Sequence, residues 1–266
     1  MNSKNTLLIL LGTVLLFGCV SSSEIVIGKD SNGNEITRSV DIVDYEKAAN
    51  ARVNLAMAQI SQMHMTEAKK NLEIAEKYDS GSEGLYLAWG YYYVNVGDAV
   101  NAGKILKKGY EKYPKSGYLS MRYGQYLCSQ KKYDEGLKLF EETVAKPNFP
   151  DVGAAYQQAA LCSYNKGDKD LTQKYFELAY NYGGSEPDIL FNYASFSYER
   201  GNYERADFLM RRYDLFEKNN SAQSLFLKVK IATKLGKYAD AEVYGRKLVN
   251  KFKDTQEAKD YINAKY

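Results

Sequence analysis

The sequence predicts an all-α solenoid of about six helix-turn-helix repeats, wound as a right-handed superhelix and closed by a C-terminal capping helix. Three observations predict it. Glycine followed by a polar residue recurs at Gly97-Asp98, Gly167-Asp168, Gly201-Asn202 and Gly236-Lys237, each time between two runs of helical apolar spacing. The units built around such turns start near residues 49, 83, 117, 153, 187 and 222, at intervals of 34, 34, 36, 34 and 35 residues. A period of that size marks stacked, repeated supersecondary units. Finally, only 4 prolines in 266 residues leave long stretches free to continue as helix.

The chain begins with an address. Lys4 and the amino terminus give a positive start, and Leu7 to Phe17 form an apolar run broken only at Gly12 and Thr13. That run is too short to cross a bilayer and suits the core of a signal peptide spanning 1–18. It ends in Leu16-Phe17-Gly18-Cys19, which resembles a bacterial lipobox, with Phe17 larger than usual at its place. The resemblance implies that Cys19 is lipidated and becomes the new amino terminus. Val20 after the Cys, being non-acidic, implies the outer membrane as destination, with the protein lipid-anchored and facing the periplasm. Several acyl chains together anchor firmly where one does not.

Residues 19–44 read as a flexible tether. Ser21-Ser22-Ser23 and Asp30-Ser31-Asn32-Gly33-Asn34 are turn and disorder formers, and Ile25-Val26-Ile27 with Ile36 suggest a brief strand without an evident partner. A coil of this length spans roughly 28 Å on average.

From 45 to 266 the repeats follow one another. The second is the fullest, with Tyr86, Trp89, Gly90 and Tyr93 on its first helix, Ala102 and Leu106 on its second, and Pro114 at its end. That order of bulky, small and aromatic residues is the TPR (tetratricopeptide) pattern. The third repeat supplies Tyr123, Gly124, Leu127, Gly136 and Phe140, the fourth Ala160, Phe176 and Ala179, and the others partial versions. Gly90, Gly124, Ala160 and Ala194 let paired helices approach, and Trp89, Phe140 and Phe176 fill the space between repeats. No repeat buries its apolar face alone, so stacking is obligatory. The longer third interval falls at Pro147-Asn148-Phe149-Pro150, a loop by its prolines. Thr255 to Tyr266, with charges around Ala258, Tyr261 and Ile262, reads as the cap.

Chemistry is hard to find. The chain has one His, His64, in the turn of the first repeat, so there is no paired-His zinc motif, and no other base for a Ser-His-Asp or Cys-His arrangement is evident. Glu141 and Glu142 are sequence neighbours and read as solvated surface charges. No phosphate-binding glycine loop is present. The net charge of +3, from 36 basic and 33 acidic residues without a long run of one sign, gives no nucleic-acid footprint. The sequence therefore points to a protein-binding module with no catalytic residues, no cofactor and no metal.

Cys128 and Cys162 stand late in the first helices of the third and fourth repeats, elements that lie side by side in a solenoid. In an oxidising periplasm such a pair suits a disulfide. Two separately buried thiols are the alternative.

With these residues in view the chain resembles the PilF/PilW lipoproteins of type IV pilus biogenesis. Three stretches carry the resemblance: Tyr123-Gly124-Gln125-Tyr126-Leu127-Cys128 with Lys132-Tyr133-Asp134-Glu135; Ala145-Lys146-Pro147-Asn148-Phe149-Pro150 with Ala160-Leu161-Cys162, Gly167-Asp168 and Tyr175-Phe176; and Ser224-Leu225-Phe226-Leu227 with Ile231-Ala232 and Leu235-Gly236. The chain departs from the pattern at Lys253, where a proline would close the last repeat. The resemblance implies a six-repeat lipoprotein of the outer membrane that helps the secretin, the pilus exit pore, to reach the membrane and assemble. A partner is then the secretin or another pilus component. The other reading is a scaffold lipoprotein of a different envelope complex, such as β-barrel insertion or peptidoglycan machinery. The outward slots of the first helices would form the partner-binding groove: Tyr91, Asn95, Gln125, Tyr164, Asn165, Asn192 and Tyr198. Tyr gives contact area and Asn can bond backbone amides of a bound segment.

Overall fold

A computed structural model describes residues 20–29, 35–218 and 220–264. Among them two strands precede thirteen helices. The strands are β1 (Val20–Lys29) and β2 (Glu35–Val43). The helices pair into repeats: α1 (Tyr45–Ser61) with α2 (Met65–Tyr78), α3 (Glu83–Asn95) with α4 (Ala99–Lys112), α5 (Gly117–Ser129) with α6 (Tyr133–Val144), α7 (Val152–Lys166) with α8 (Lys169–Gly183), α9 (Pro187–Glu199) with α10 (Tyr203–Phe216), and α11 (Ala222–Lys234) with α12 (Tyr238–Phe252). The terminal helix α13 is Gln256–Ile262. The predicted repeat starts coincide with the first residues of α3, α5, α9 and α11 and fall one residue inside α7, while α1 begins four residues ahead of its predicted start. The signal segment and Cys19 lie outside the described residues.

The stretch expected as a tether departs from that expectation. β1 and β2 form an antiparallel hairpin running from Val20 opposite Val43 to Lys29 opposite Glu35, with an irregularity between Val26 and Gly28. The physical reason stands in the sequence. Val40, Ile42 and Val43 supply a second β-branched run, which pairs with Ser23, Ser21 and Val20 while Ile25 and Val26 pair with Arg38 and Thr37, and the intervening sequence holds Asn32-Gly33, a strong hairpin signal.

The recurring glycines work through backbone geometry. Gly97, Gly167, Gly201 and Gly236 all have positive φ, from 71° to 87°, and Met63 and Lys131 occupy the same conformation at 61° and 63° in the first and third repeats. All six stand 14 residues after their repeat start, so the period is one of chain reversal as well as of side chains. The polar residue after the glycine caps the next helix. The Asp98 carboxylate accepts from the Asn101 amide, Asp168 from Leu171, and the Asn202 side chain from Arg205, each at 3.0 Å. At His64, Lys132 and Lys237 no side chain caps.

Contacts divide the chain into one unit ending at Gly109 and a second from Tyr110 onward. In the first, Leu72, Leu85, Ala88 and Trp89 form the core, and a side chain on Gly90 would collide with Leu106. In the second, a continuous core runs from Met121 to Ile231, with Phe140, Phe176, Leu190, Tyr193 and Leu209 at its centre. First helices lie side by side in the order α5, α7, α9, α11, α13. The proline loop has a packing role that its composition did not announce. Phe149 is buried against the edge of Tyr118 and over Gly117, where an added Cβ would collide with the ring. The cap closes on α11 and α12 through fully buried Ala258 and through Tyr261, whose ring leaves no room for a side chain at Gly245.

Candidate partner-binding groove

Cys128 on α5 and Cys162 on α7 are joined, with Cα atoms 5.6 Å apart and both residues buried. The two cysteines sit at repeat slots two positions apart. What accommodates them is Gly136 on α6. An added Cβ there would strike Cys128 Sγ and lie 2.8 Å from the Gly124 carbonyl. The bond therefore rests in a notch made by two glycines, and it ties α5 to α7.

Polar contacts one repeat apart reinforce the stack. Tyr175 Oη donates to Glu141 at 2.6 Å, and Lys166 Nζ lies 2.6 Å from Asp134. Glu141 is thus no freely solvated charge, as its sequence context suggested. Burial and the neighbouring carboxylate hold the Tyr175 hydroxyl protonated far above the ordinary tyrosine range. His64 is exposed in its turn, and among the described residues no group of His, Cys, Asp and Glu is arranged to hold a metal ion.

Two open cavities lie along the first helices of the second unit. One, of about 460 Å³, is lined by Tyr164 and Asn165 at the end of α7, Thr172 on α8, and Phe196, Glu199 and Arg200 around the end of α9. The other, of about 420 Å³, lies between α9, α11 and α13 and takes in Tyr198, Phe226 and Lys230. Glu199 lines both. The Tyr164 hydroxyl donates to Glu199 at 2.7 Å, which pushes its pKa up, and its ring meets the edge of Phe196. Burial raises the Tyr198 hydroxyl as well.

Of the residues expected to line a groove, Tyr164 and Asn165 line the first of these cavities and Tyr198 lines the second. Asn192 is half-buried on α9 and lines neither cavity. Gln125 is half-buried and accepts from Arg122 Nη1 at 2.8 Å. In the first unit, exposed Asn95 donates to the Tyr91 carbonyl of its own helix at 2.8 Å. Lys230, which the sequence reading passed over, occupies the slot eight residues into its repeat that Tyr91 and Gln125 occupy in theirs. That slot was the signal that could have found it. Glu257 and Asp260 come from the cap and reach the cavity only through the fold.

Residues 84–265 match the Iml2/Tetratricopeptide repeat protein 39 family. The type IV pilus assembly protein PilF of Pseudomonas aeruginosa is 22% identical over 256 residues, 96% of this chain and 96% of that one. A solved structure of P. aeruginosa PilF superimposes with a TM-score of 0.68 at 19% identity, covering 84% of this chain and 99% of its own. That of PilW, a type IV pilus biogenesis factor, does so at 0.71 and 23%, covering 80% and 98%. At these identities the superpositions speak for the fold: all-α TPR of the PilF/PilW kind from Tyr45 onward.

Proposed function

This chain belongs to the Iml2/Tetratricopeptide repeat protein 39 family, and on that premise we propose that it is a protein-binding component of type IV pilus biogenesis that promotes assembly and localisation of the secretin. The observation that carries the reading is end-to-end likeness. The match to PilF runs over 96% of both chains, so the whole order of repeats is shared rather than one generic TPR motif. In this reading Cys19 carries lipid, the protein faces the periplasm from the outer membrane, and the repeats supply a rigid surface without catalysing a reaction. A stack of this type presents helix-lined grooves suited to an extended or helical segment of a partner.

Deleting the gene and resolving heat-resistant secretin multimers on gels tests the proposal. Loss of multimers with unchanged total secretin supports it. Normal multimers in the deletion strain would overturn it and favour a scaffold role in another envelope complex. Labelling cells with a fatty-acid analogue tests the anchor, since wild type should be marked and Cys19→Ala should not. Equal labelling of both would remove the lipid from the account.

A further inference from the structure

The cavity between α9, α11 and α13 has a floor and a rim of different chemistry. Phe191, Tyr198, Phe226 and Leu227 give it apolar and aromatic surface. Glu199, Glu257 and Asp260 stand around them, three carboxylates against the one ammonium of Lys230. That ammonium has no ion-pair partner among the described residues despite these neighbours. It rests over two rings, 5.1 Å from the centroid of Tyr198 and 5.1 Å from that of Phe226. The ring pair is therefore a seat for a cation, filled at present by a side chain of the protein itself. Asp260 accepts from Gln256 at 2.7 Å and Glu199 from Tyr164 at 2.7 Å, both neutral donors that leave the carboxylate charge uncompensated. Glu257 has no ion-pair partner among the described residues.

We propose that this end of the groove binds a basic, apolar segment of a partner protein. An arginine or lysine of the segment takes the ring faces and the carboxylate rim, and a large apolar residue beside it packs on Phe191 and Leu227. The inference deepens the protein-binding reading above and rests on it. Charge complementarity selects the occupant. A cation meets three carboxylates at the cost of displacing one flexible lysine, whereas an acidic segment would meet the same three as repulsion. The chain as a whole carries +3, so general electrostatics do not draw a basic peptide to it, and attraction must arise at this site.

The test uses the purified full chain and two fluorescein-labelled ten-residue peptides, one alternating Arg and Leu, the other Glu and Leu. Fluorescence anisotropy should show the Arg-Leu peptide binding at least tenfold more tightly. Glu257→Gln combined with Asp260→Asn should weaken it tenfold or more with unchanged melting temperature. Lys230→Ala should tighten it severalfold by vacating the rings, a direction that damage to the fold would not produce. Equal affinity for the two peptides, indifference to the carboxylate variants, or weakening by Lys230→Ala in a protein that melts normally would each overturn the proposal. These outcomes are separate from the secretin multimer assay. A protein that supports multimers but ignores peptide charge keeps its pilus role and loses this site.

Discussion

The seam between the third and fourth repeats and the groove at the end of the same unit are built from the same kind of helix pair, yet they are finished in opposite ways. At the seam the packing is close: Gly124 and Gly136 make the notch, the Cys128–Cys162 bond occupies it, and Phe149 plugs the loop beside it. At the groove, aromatic side chains that would fill a core line open cavities, and carboxylates gather where packing does not require them. The difference separates residues that specify the stack from residues left to serve the proposed partner site. Because each repeat touches only its neighbours, changes at the groove should leave the seam intact.

Breaking the seam should have the largest effect. Replacing Cys128 and Cys162 together by Ser removes the cross-link on a 34-residue separation and should cost about 3–4 kcal/mol by the chain-entropy account. Denaturant unfolding measures it, and mass spectrometry of the unreduced protein should find the two peptides linked. Free thiols at both positions would remove this term. Gly90→Leu, which drives a side chain into Leu106, should destabilise by about 1–3 kcal/mol, and Ala160→Leu in the second unit by a similar amount.

A smaller change of opposite sign sharpens the comparison. Lys131 holds a left-handed conformation that glycine holds in four other repeats. Lys131→Gly should stabilise by about 1 kcal/mol, since the penalty on a Cβ in that region exceeds the entropy glycine loses. A neutral or destabilising result would show that the third turn is set by packing rather than by its own backbone.

The buried tyrosines predict alkaline sensitivity. Tyr175, Tyr193 and Tyr213 all have raised pKa values, with burial as the largest cause. The folded state therefore retains protons that the unfolded chain gives up near pH 10.0, so stability is full below that pH and falls as pH climbs through it. Melting temperature against pH, followed together with tyrosinate absorbance, checks the sign.

The architecture was legible because repetition multiplies weak signals. Gly97, Gly167, Gly201 and Gly236 each read as an ordinary turn, and together they set a period that the helices follow closely. The hairpin at 20–43 was missed because β1 was read without its partner run, Val40 to Val43, and pairing is a nonlocal property that one strand does not announce. The groove was half legible. Tyr164, Asn165 and Tyr198 lie on first helices at slots that repeat logic reaches. Glu257 and Asp260 belong to the cap, outside the period, and only folding brings them opposite Lys230. At Asn95 the sequence could not show that the exposed side-chain amide also donates to the carbonyl one turn back on its own helix.

The least effect on stability, and the greatest on function, is expected of the groove itself. The most direct test of the account is complementation of a deletion strain with a variant carrying Tyr164→Ala, Asn165→Ala and Tyr198→Ala, scored for secretin multimers and for melting temperature of the purified protein. The account predicts a stack that melts within a few degrees of wild type and fails to restore multimers. Full restoration of multimers by that folded variant would contradict it and move the binding surface off these helices.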